Sequence, residues 1–426
     1  MITTTHLYKL YLKNPSVQTD TRKLKPGDLF FALKGPNFDA NEFAMKAIEA
    51  GAAFAVIDDA RYANNDRILL VEDTLQALQQ LALHHRRQFK IPVIAITGSN
   101  GKTTTKELVQ AVLSKKYQTY TTQGNLNNHI GVPLTLLSIG SDAEMAVIEM
   151  GANHQKEIDS YCNYTEPTHG IITNCGKAHL EGFGGEEGVR KGKGELFDYL
   201  REHNGTAFIL NDYEYLVQMS KGIPALVTYG TRDADTTGSV IRSEPFLEIV
   251  LQSEGGSTTI SSKLVGAYNL PNLLVAVSVG RYFKVPEAGI REALENYQPS
   301  NSRSQMIEKN GNKIILDAYN ANPSSMKAAI ENLAALKAGN KVLILGAMAE
   351  LGEQSLLEHE RIIQLIHQYQ WKDVVLVGGD FMDIPHPYTR LANSTEASKW
   401  YQHQKLENTY ILIKGSRSMR MEETIG

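Results

Sequence analysis

Residues 93–105, VIAITGSNGKTTT, join a short apolar run to a glycine-rich loop. The run at residues 93–97 is short and apolar enough to be a buried strand, and a helix is predicted at residues 106–116. Glycines in the loop allow successive backbone N–H groups to point at phosphate oxygens. Lys102 adds a positive charge near the β- and γ-phosphates, and Thr103 offers a hydroxyl to Mg²⁺. The stretch therefore predicts a site for a nucleoside triphosphate, ATP.

The residues assigned to this phosphate loop are Gly98, Ser99, Asn100, Gly101, Lys102, Thr103 and Thr104. Its first two glycines are closer together than in the common P-loop pattern. The shorter loop argues against a generic GTPase or motor ATPase. By itself it does not identify the reaction that follows nucleotide binding.

Length and composition limit the class of protein. The chain has 426 residues, enough for roughly three domains. Its formal net charge is -4 without a long charged run, so neither nucleic acid nor an anionic membrane is expected as a partner. Two cysteines, Cys162 and Cys175, provide no disulfide framework and no metal motif. The chain lacks an apolar signal core and a bilayer-spanning run, which predicts a cytoplasmic protein.

The order of apolar runs predicts an α/β fold with three domains. We expect a small α/β domain at residues 1–90, a central P-loop, ATPase-like domain with a parallel sheet at 91–298, and a C-terminal Rossmann-like α/β domain at 299–426. Ligands of such sheets bind beyond the carboxyl ends of the strands. Strands are predicted at residues 28–33, 52–57, 93–97, 146–149, 170–173, 313–317, 341–345, 373–377 and 410–413, and helices at residues 41–50, 75–89, 106–116, 270–283, 325–336 and 357–369.

Two further side chains are expected near the γ-phosphate. Glu149 ends a predicted strand, so its carboxylate is a candidate ligand for Mg²⁺, which prefers oxygen; a solvent-facing strand-end glutamate is the alternative. His179 follows the strand at residues 170–173, where a structural role and a ligand role are equally compatible with its position. Lys193 lies in a basic segment, residues 190–193, which on composition alone indicates a solvated helix face.

Motifs along nearly the whole chain carry a resemblance to a known family. They are TDTR at 19–22, KPGDLFFAL at 25–33, TGSNGKTTTKE at 97–107, NLNN at 125–128, IGVP at 130–133, EMG at 149–151, AHLE at 178–181, GAYN at 266–269, DAYNANP at 317–323, ELG at 350–352 and KGSR at 414–417. In this order they resemble the Mur ligase family. DAYNANP and KGSR are the most diagnostic for the branch that adds D-alanyl-D-alanine to UDP-N-acetylmuramoyl-tripeptide (UDP-MurNAc-tripeptide).

The resemblance implies a metal site with two Mg²⁺ ions. In the family, the lysine that matches Lys193 is carbamylated, which converts a cation into a carboxylate-like oxygen ligand. Thr103 and Glu149 would hold one Mg²⁺. His179 and carbamylated Lys193 would hold the second near the γ-phosphate.

Contacts with the nucleotide are implied in the same way. Asn269 and Asn272 are expected near the adenine, and Arg303 and Asp317 near the ribose and phosphates. Asn320 is expected to approach the γ-phosphate from the C-terminal domain. For Arg303 and Asn320, ordinary loop polarity is the alternative.

Contacts with the peptide substrate are implied for two segments. Thr21 and Arg22 are expected at the UDP end, in the N-terminal domain, and Asn127 and Asn128 belong to a substrate segment. One position departs from the family pattern. Ala347 stands where Asp is common, so any role of that Asp in orienting the dipeptide is lost or moved here.

The implied activity is an ATP-dependent ligase that activates the tripeptide as an acyl phosphate and joins it to D-Ala-D-Ala. Its product, UDP-MurNAc-pentapeptide, serves peptidoglycan synthesis. The expected partners are small molecules, and the protein is expected to be a monomer. Whether the tripeptide carries meso-diaminopimelate or lysine stays open. A sister ligase that adds a diamino acid and a folylpolyglutamate synthase share the loop and fold, although the Asp-Asn-Pro-Arg motif of the former is not found. A nucleotide-dependent switch is the alternative from another class.

Overall fold

A computed structural model describes residues 1–253, 256–300 and 302–426 of the protein. Its strands form three main sheets, one in each of three consecutive α/β regions, which confirms the predicted fold class. Among the described residues, no helix is long and apolar enough to cross a membrane.

The N-terminal region contains β1 (Val17–Gln18), β2 (Leu29–Phe31), β3 (Lys34–Gly35), β4 (Phe38–Asp39), β5 (Phe54–Ile57) and β6 (Ile68–Leu70), with α1 (Thr4–Lys13), α2 (Ala44–Glu49) and α3 (Thr74–Arg86). Four parallel strands form a sheet in the order β1-β2-β5-β6, and β3 and β4 form a separate hairpin. The strands predicted at 28–33 and 52–57 and the helices predicted at 41–50 and 75–89 are confirmed with shifted ends.

The central region contains β7 (Val93–Thr97), β8 (Thr119–Thr121), β9 (Met145–Glu149), β10 (His169–Ile172), β11 (Thr206–Leu210), β12 (Ala225–Gly230), β13 (Thr236–Arg242), β14 (Glu248–Ser253) and β15 (Gly256–Ser261). Its helices are α4 (Lys102–Leu113), α5 (Gly131–Leu137), α6 (Glu157–Thr165), α7 (Leu180–Phe183), α8 (Glu186–Glu202), α9 (Glu214–Met219), α10 (Leu270–Tyr282) and α11 (Glu287–Asn296). The described strands form one sheet in the order β15-β14-β13-β12-β11-β10-β7-β9-β8.

The middle of the central sheet explains where the site forms. Strands β7, β9 and β10 are buried along their whole length, because helices cover both faces of a parallel sheet. Pairing β7 with β10 on one side and β9 on the other brings their carboxyl ends to one edge. Strands β13 to β15 pair antiparallel at the far side of the sheet.

The start of the helix after the phosphate loop was predicted wrongly. The helix α4 begins at Lys102 rather than at residue 106. Gly101 precedes it in the left-handed conformation, with φ of 79°, so the chain turns into the helix directly after the second glycine. Lys102, Thr103 and Thr104 therefore form the first helical turn instead of a loop.

The C-terminal region contains β16 (Gln305–Lys309), β17 (Asn312–Asp317), β18 (Asn340–Gly346), β19 (Asp373–Val377), β20 (Thr389–Leu391) and β21 (Thr409–Lys414), with α12 (Pro323–Ala335), α13 (Ser355–Ile366) and α14 (Ser394–His403). The sheet order is β16-β17-β21-β18-β19-β20, with only the β16–β17 pair of these described strands antiparallel. The carboxyl ends of β17 and β21 face the central domain and carry Asp317 and Lys414.

Candidate active site

Most of the predicted site residues meet at one cavity of about 760 Å³ between the central and C-terminal regions. Those that line it are Ser99, Asn100, Gly101, Lys102, Thr103, Thr104, Asn127, Asn128, Glu149, His179, Asn269, Asn272, Arg303, Asp317 and Asn320. Gly98, Lys193, Thr21 and Arg22 do not line it. The volume is in the range of small-molecule sites.

The phosphate loop is held against the end of β10. The Thr173 hydroxyl donates to Asn100 O at 2.6 Å, and the Asn100 N–H donates to Asn174 Oδ1 at 3.1 Å. The Ser99 N–H donates to Asn174 O at 2.9 Å. With the loop fixed in this way, the N-terminus of α4 faces the cavity, where its dipole favours an anion.

The Lys102 side chain lies across its own loop. Its Nζ donates to Gly98 O at 2.6 Å and to Ser99 O at 3.3 Å. Burial lowers the pKa of Lys102; the Glu149 carboxylate opposes this shift and the Arg303 guanidinium adds to it. A partly buried cation held by carbonyl oxygens is a favourable partner for a polyanion that enters the cavity.

Replacing Gly98 by alanine is expected to weaken nucleotide binding about tenfold or more, because backbone strain of this kind is worth about 1–3 kcal/mol. The glycine has φ of +139°, and a Cβ would lie 2.0 Å from Thr173 Oγ1. The Kd for ATP, measured by calorimetric titration, checks this. Gly339→Ala is the control, since a Cβ at Gly339 meets nothing within 4 Å. Unchanged affinity in Gly98→Ala would argue against the loop as the nucleotide site.

Glu149 is buried at the end of β9, so the solvent-facing alternative is wrong. Its exposed fraction is 1%. Oε1 accepts a hydrogen bond from Asn127 Nδ2 at 2.7 Å, whereas Oε2 has no partner among the described residues. Thr103 is also buried and lines the same cavity. An unsatisfied carboxylate oxygen and a hydroxyl that line one cavity fit the ligand preference of Mg²⁺.

His179 lies at the start of α7 and touches the C-terminal region. Its Nδ1 is 2.5 Å from Glu350 Oε2. The angle at this contact departs from that of a well-aligned hydrogen bond. Contact with His179 lowers the pKa of Glu350.

Lys193 is buried on α8, and the interpretation as a solvated helix face is wrong. Its exposed fraction is 1%. Nζ donates to Ala152 O at 2.8 Å and lies 4.8 Å from the centre of the Phe183 ring. Burial, followed by repulsion from Lys102, lowers the pKa of Lys193 to about 7. Because Ala152 lines the cavity, the amine lies directly behind the cavity wall.

Asn269 and Asn272 form a buried network beside α4. Asn272 Nδ2 donates to Asn269 Oδ1 at 2.8 Å, and Asn269 Nδ2 donates to Val265 O at 2.8 Å. The Thr105 hydroxyl donates to Asn272 Oδ1 at 3.1 Å. These bonds fix both asparagines relative to the phosphate loop.

The C-terminal region contributes charged groups to the opposite wall. The Arg303 guanidinium stacks 3.6 Å from the centre of the Tyr319 ring, and its Nε has no partner among the described residues. Lys414 Nζ is 2.5 Å from Asp317 Oδ2 and donates to Asn320 O at 3.1 Å. Arg303 therefore carries an unpaired buried donor at the cavity.

Three contacts between the central and C-terminal regions were not predicted from the sequence. Asn322 Nδ2 donates to Asn100 Oδ1 at 2.7 Å, the Lys177 N–H donates to the Ser324 hydroxyl at 3.0 Å, and Lys177 Nζ is 2.7 Å from Glu358 Oε1. The Asn-Pro pair at 322–323 signals a helix start. That signal locates α12, but it does not reveal that the start of α12 packs on the phosphate loop.

Thr21 and Arg22 lie on a short 3-10 turn, Thr21–Lys23, in the N-terminal region. The Arg22 side chain is 87% exposed and pairs with Asp20 at 2.8 Å. The structure thus places these two residues apart from the cavity described above.

The donor set for metal ions is small. Among the described residues, no group of three or more His, Cys, Asp or Glu side chains is arranged to hold a metal ion. Mg²⁺ in nucleotide sites usually takes one or two carboxylates and completes its shell with phosphates and water. Glu149 and Thr103 fit that pattern.

Three α/β regions, with a phosphate loop in the second and a cavity closed by the third, define an ATP-dependent ligase of the three-domain type. Family descriptions match in the same order: "Mur ligase family, catalytic domain" over residues 15–86, "Mur ligase middle domain" over 96–280, and "Mur ligase, glutamate ligase domain" over 302–417. The chain belongs to the Mur ligase family.

Curated relatives and solved structures share nearly the full length. UDP-N-acetylmuramoyl-tripeptide--D-alanyl-D-alanine ligases of Bacillus subtilis and Escherichia coli are 36% and 37% identical, each covering 96% of this chain and 92% of their own length. MurF from Acinetobacter baumannii superimposes with a TM-score of 0.87 at 32% identity over 96% of this chain and 92% of its own. MurF from Thermotoga maritima, solved with ADP, gives 0.87 at 27% identity over 97% of both chains.

Proposed function

We infer that this protein is an ATP-dependent ligase that adds D-alanyl-D-alanine to UDP-MurNAc-tripeptide in peptidoglycan synthesis. The observation that carries the inference is the joint cavity. It places a phosphate loop and an unsatisfied buried carboxylate from the central region opposite cationic groups of the C-terminal region. Relatives that carry the name of this ligase align over nearly the whole chain.

The three regions then divide the substrates between them. Residues 1–90 bind the UDP end, with Thr21 and Arg22 as contacts. Residues 91–298 bind ATP and the reacting carboxylate, and residues 299–426 bind D-Ala-D-Ala and close over ATP. Exposure of Arg22 supports its part in this division, because an exposed guanidinium is accessible to a diphosphate.

The nucleotide binds in the cavity between the central and C-terminal regions. Residues 98–104 cradle the phosphates, and Lys102 leaves its carbonyl contacts to pair with them. Asn269 and Asn272, fixed beside α4, contact the adenine. Arg303 and Asp317 contact the ribose and phosphates.

Two Mg²⁺ ions would bind at the end of β9 and beside it. Thr103 and Glu149 would hold one Mg²⁺, and His179 with carbamylated Lys193 would hold the second. When bound, Mg²⁺ offsets the negative charge of the phosphoryl group during its transfer. Asn320 approaches the γ-phosphate from the C-terminal region, and Asn127 and Asn128 contact the peptide substrate.

The environment of Lys193 suits carbamylation. With a pKa of about 7, a large part of the amine is neutral at physiological pH. A neutral amine attacks carbon dioxide: an N–C bond forms, one proton leaves the nitrogen, and a carbamate with two oxygens results. The product removes the repulsion between Lys193 and Lys102 and supplies the hard oxygen ligand that an ammonium cannot.

These groups support amide formation in two chemical steps. The terminal carboxylate of the tripeptide attacks the γ-phosphorus, and ADP leaves, giving an acyl phosphate. The neutral amine of D-Ala-D-Ala then attacks the acyl carbon: a C–N bond forms, the C–O bond to phosphate breaks, and the nitrogen loses one proton as phosphate leaves. Lys102 and Arg303 offset charge on the transferring group, and domain contact excludes water that would hydrolyse the acyl phosphate.

Turnover with each substrate omitted tests the function. Phosphate release is expected to need ATP, UDP-MurNAc-tripeptide and D-Ala-D-Ala together, with only slow release when the dipeptide is absent. A sister ligase would instead respond to a free diamino acid, a folylpolyglutamate synthase to a folate and glutamate, and a switch would hydrolyse ATP without either peptide. Assays with tripeptides ending in meso-diaminopimelate or lysine identify the third residue.

Location and assembly belong to the same proposal. Use of ATP and of a UDP-linked precursor supports action in the cytoplasm, and a cavity built from one chain supports a monomer. Sedimentation at assay concentrations checks the latter.

A further inference from the structure

One contact between the two halves of the cavity reaches a predicted catalytic side chain. His179, from the central region, and Glu350, from the C-terminal region, approach to 2.5 Å. Both also line a second cavity of about 340 Å³, with Asn153, His154, Glu181 and Gly182 as the other wall residues. His179 therefore lines both cavities.

The backbone at both ends of this contact is constrained. His179 has φ of 52° and Glu350 has φ of 61°, a left-handed conformation that costs energy in residues other than glycine. The Glu181 N–H donates to Glu350 O at 3.4 Å, and Gly352 lies so close to Glu181 that an added Cβ would be 3.2 Å from it. Two strained residues that face one another across a packed interface indicate a built contact rather than a chance approach of surface side chains.

We propose that Glu350 is a positioning residue that couples docking of the C-terminal domain to the orientation of the His179 imidazole. In the docked arrangement, the Glu350 carboxylate lies 2.5 Å from Nδ1 and restricts the rotation of the imidazole, while Nε2 is free of this contact. When the C-terminal domain moves away, His179 loses this partner. The imidazole is then oriented for catalysis only while the domain that carries D-Ala-D-Ala is docked. This inference rests on the proposed function, in which His179 serves the reacting phosphoryl group.

Other contacts across the same interface separate this role from domain docking itself. Asn322 with Asn100, and Lys177 with Glu358, join the two regions without touching His179. Neither contact involves the Glu350 carboxylate, so both are expected to persist when it is removed. Loss of that carboxylate should therefore disturb the imidazole while the domains still dock.

The test is the substitution Glu350→Gln. It keeps the size of the side chain, and the backbone carbonyl of residue 350 still accepts the hydrogen bond from the Glu181 N–H. Glu353→Gln is the matched control, since Glu353 is exposed three positions further on. We expect kcat to fall about tenfold or more in Glu350→Gln, as for other partners that orient a catalytic histidine, with KM for ATP little changed. Glu353→Gln should behave as wild type.

Hydrogen exchange in the ligand-free protein supplies a readout independent of turnover. Amides of residues 180–184 should exchange faster in Glu350→Gln than in wild type. In a His179→Asn background, Glu350→Gln should add no further change, because coupled residues are not additive. Wild-type kcat in Glu350→Gln, or an additive change in exchange, would overturn the inference. Wild-type protein without ligase activity would instead refute the proposed function.

Discussion

Replacement of Lys193 by alanine is expected to lower ligase kcat at least about 100-fold, because metal sites lose about 10–100-fold even when only a supporting residue is changed. The lysine is 1% exposed, and its amine lies behind the cavity wall at 2.8 Å from Ala152 O. Alanine removes the only atom at this position that carbon dioxide can modify. Added bicarbonate therefore cannot restore turnover, which phosphate release measures.

The control is Lys191→Ala, since Lys191 lies two positions earlier on α8 and is exposed. It should keep wild-type activity. With ¹³C-labelled bicarbonate, a carbamate signal is expected in the NMR spectra of wild type and Lys191→Ala and not of Lys193→Ala. Full activity of Lys193→Ala, or a wild-type protein without a carbamate signal, would contradict the proposal.

Elements with a continuous apolar run were predictable from the sequence. β7 and β19 have the predicted bounds, and β9 and β10 are shifted by one residue. A buried strand of a parallel sheet needs apolar side chains on both faces, so its run is uninterrupted and ends where polar residues begin. The start of α4 was missed because Lys-Thr-Thr-Thr carries no apolar period, whereas the left-handed glycine before it decides where the helix begins.

Site residues at strand ends were predictable for a related reason. Glu149 ends β9 and His179 follows β10, the two strands that flank β7, and parallel pairing with β7 brings such positions to one edge of the sheet. The burial of Lys193 was not predictable from the sequence. It arises from the packing of α8 on Phe183 and on the segment after β9, and no local sequence pattern encodes that packing. The hydrogen bond between Asn322 and Asn100 depends on how the two domains pack against each other. Each residue belongs to a family motif, but the motifs do not reveal that the two residues are in contact.

Glu149, the proposed Mg²⁺ ligand, carries a stability cost in the ligand-free protein. One oxygen is bound by Asn127 and the other has no partner among the described residues. An unsatisfied buried polar group costs about 1–3 kcal/mol, and more when it is charged. Such a cost is expected where a bound ligand supplies the missing partner. Removing the charge should therefore raise the stability of the ligand-free protein and lower its activity.

Glu149→Gln is expected to lower kcat at least about 100-fold, by the same comparison with metal-site residues, and to raise the apparent melting temperature of the ligand-free protein by about 2–4 °C. The neutral amide keeps the oxygen that accepts from Asn127 and removes the buried charge, so folding becomes easier while a metal ligand is lost. Phosphate release and differential scanning calorimetry measure the two effects. Glu360→Gln, at an exposed position of α13, should change neither. If Glu149→Gln lost activity and stability together, the carboxylate would be a structural partner of Asn127 rather than a residue held ready for a cation.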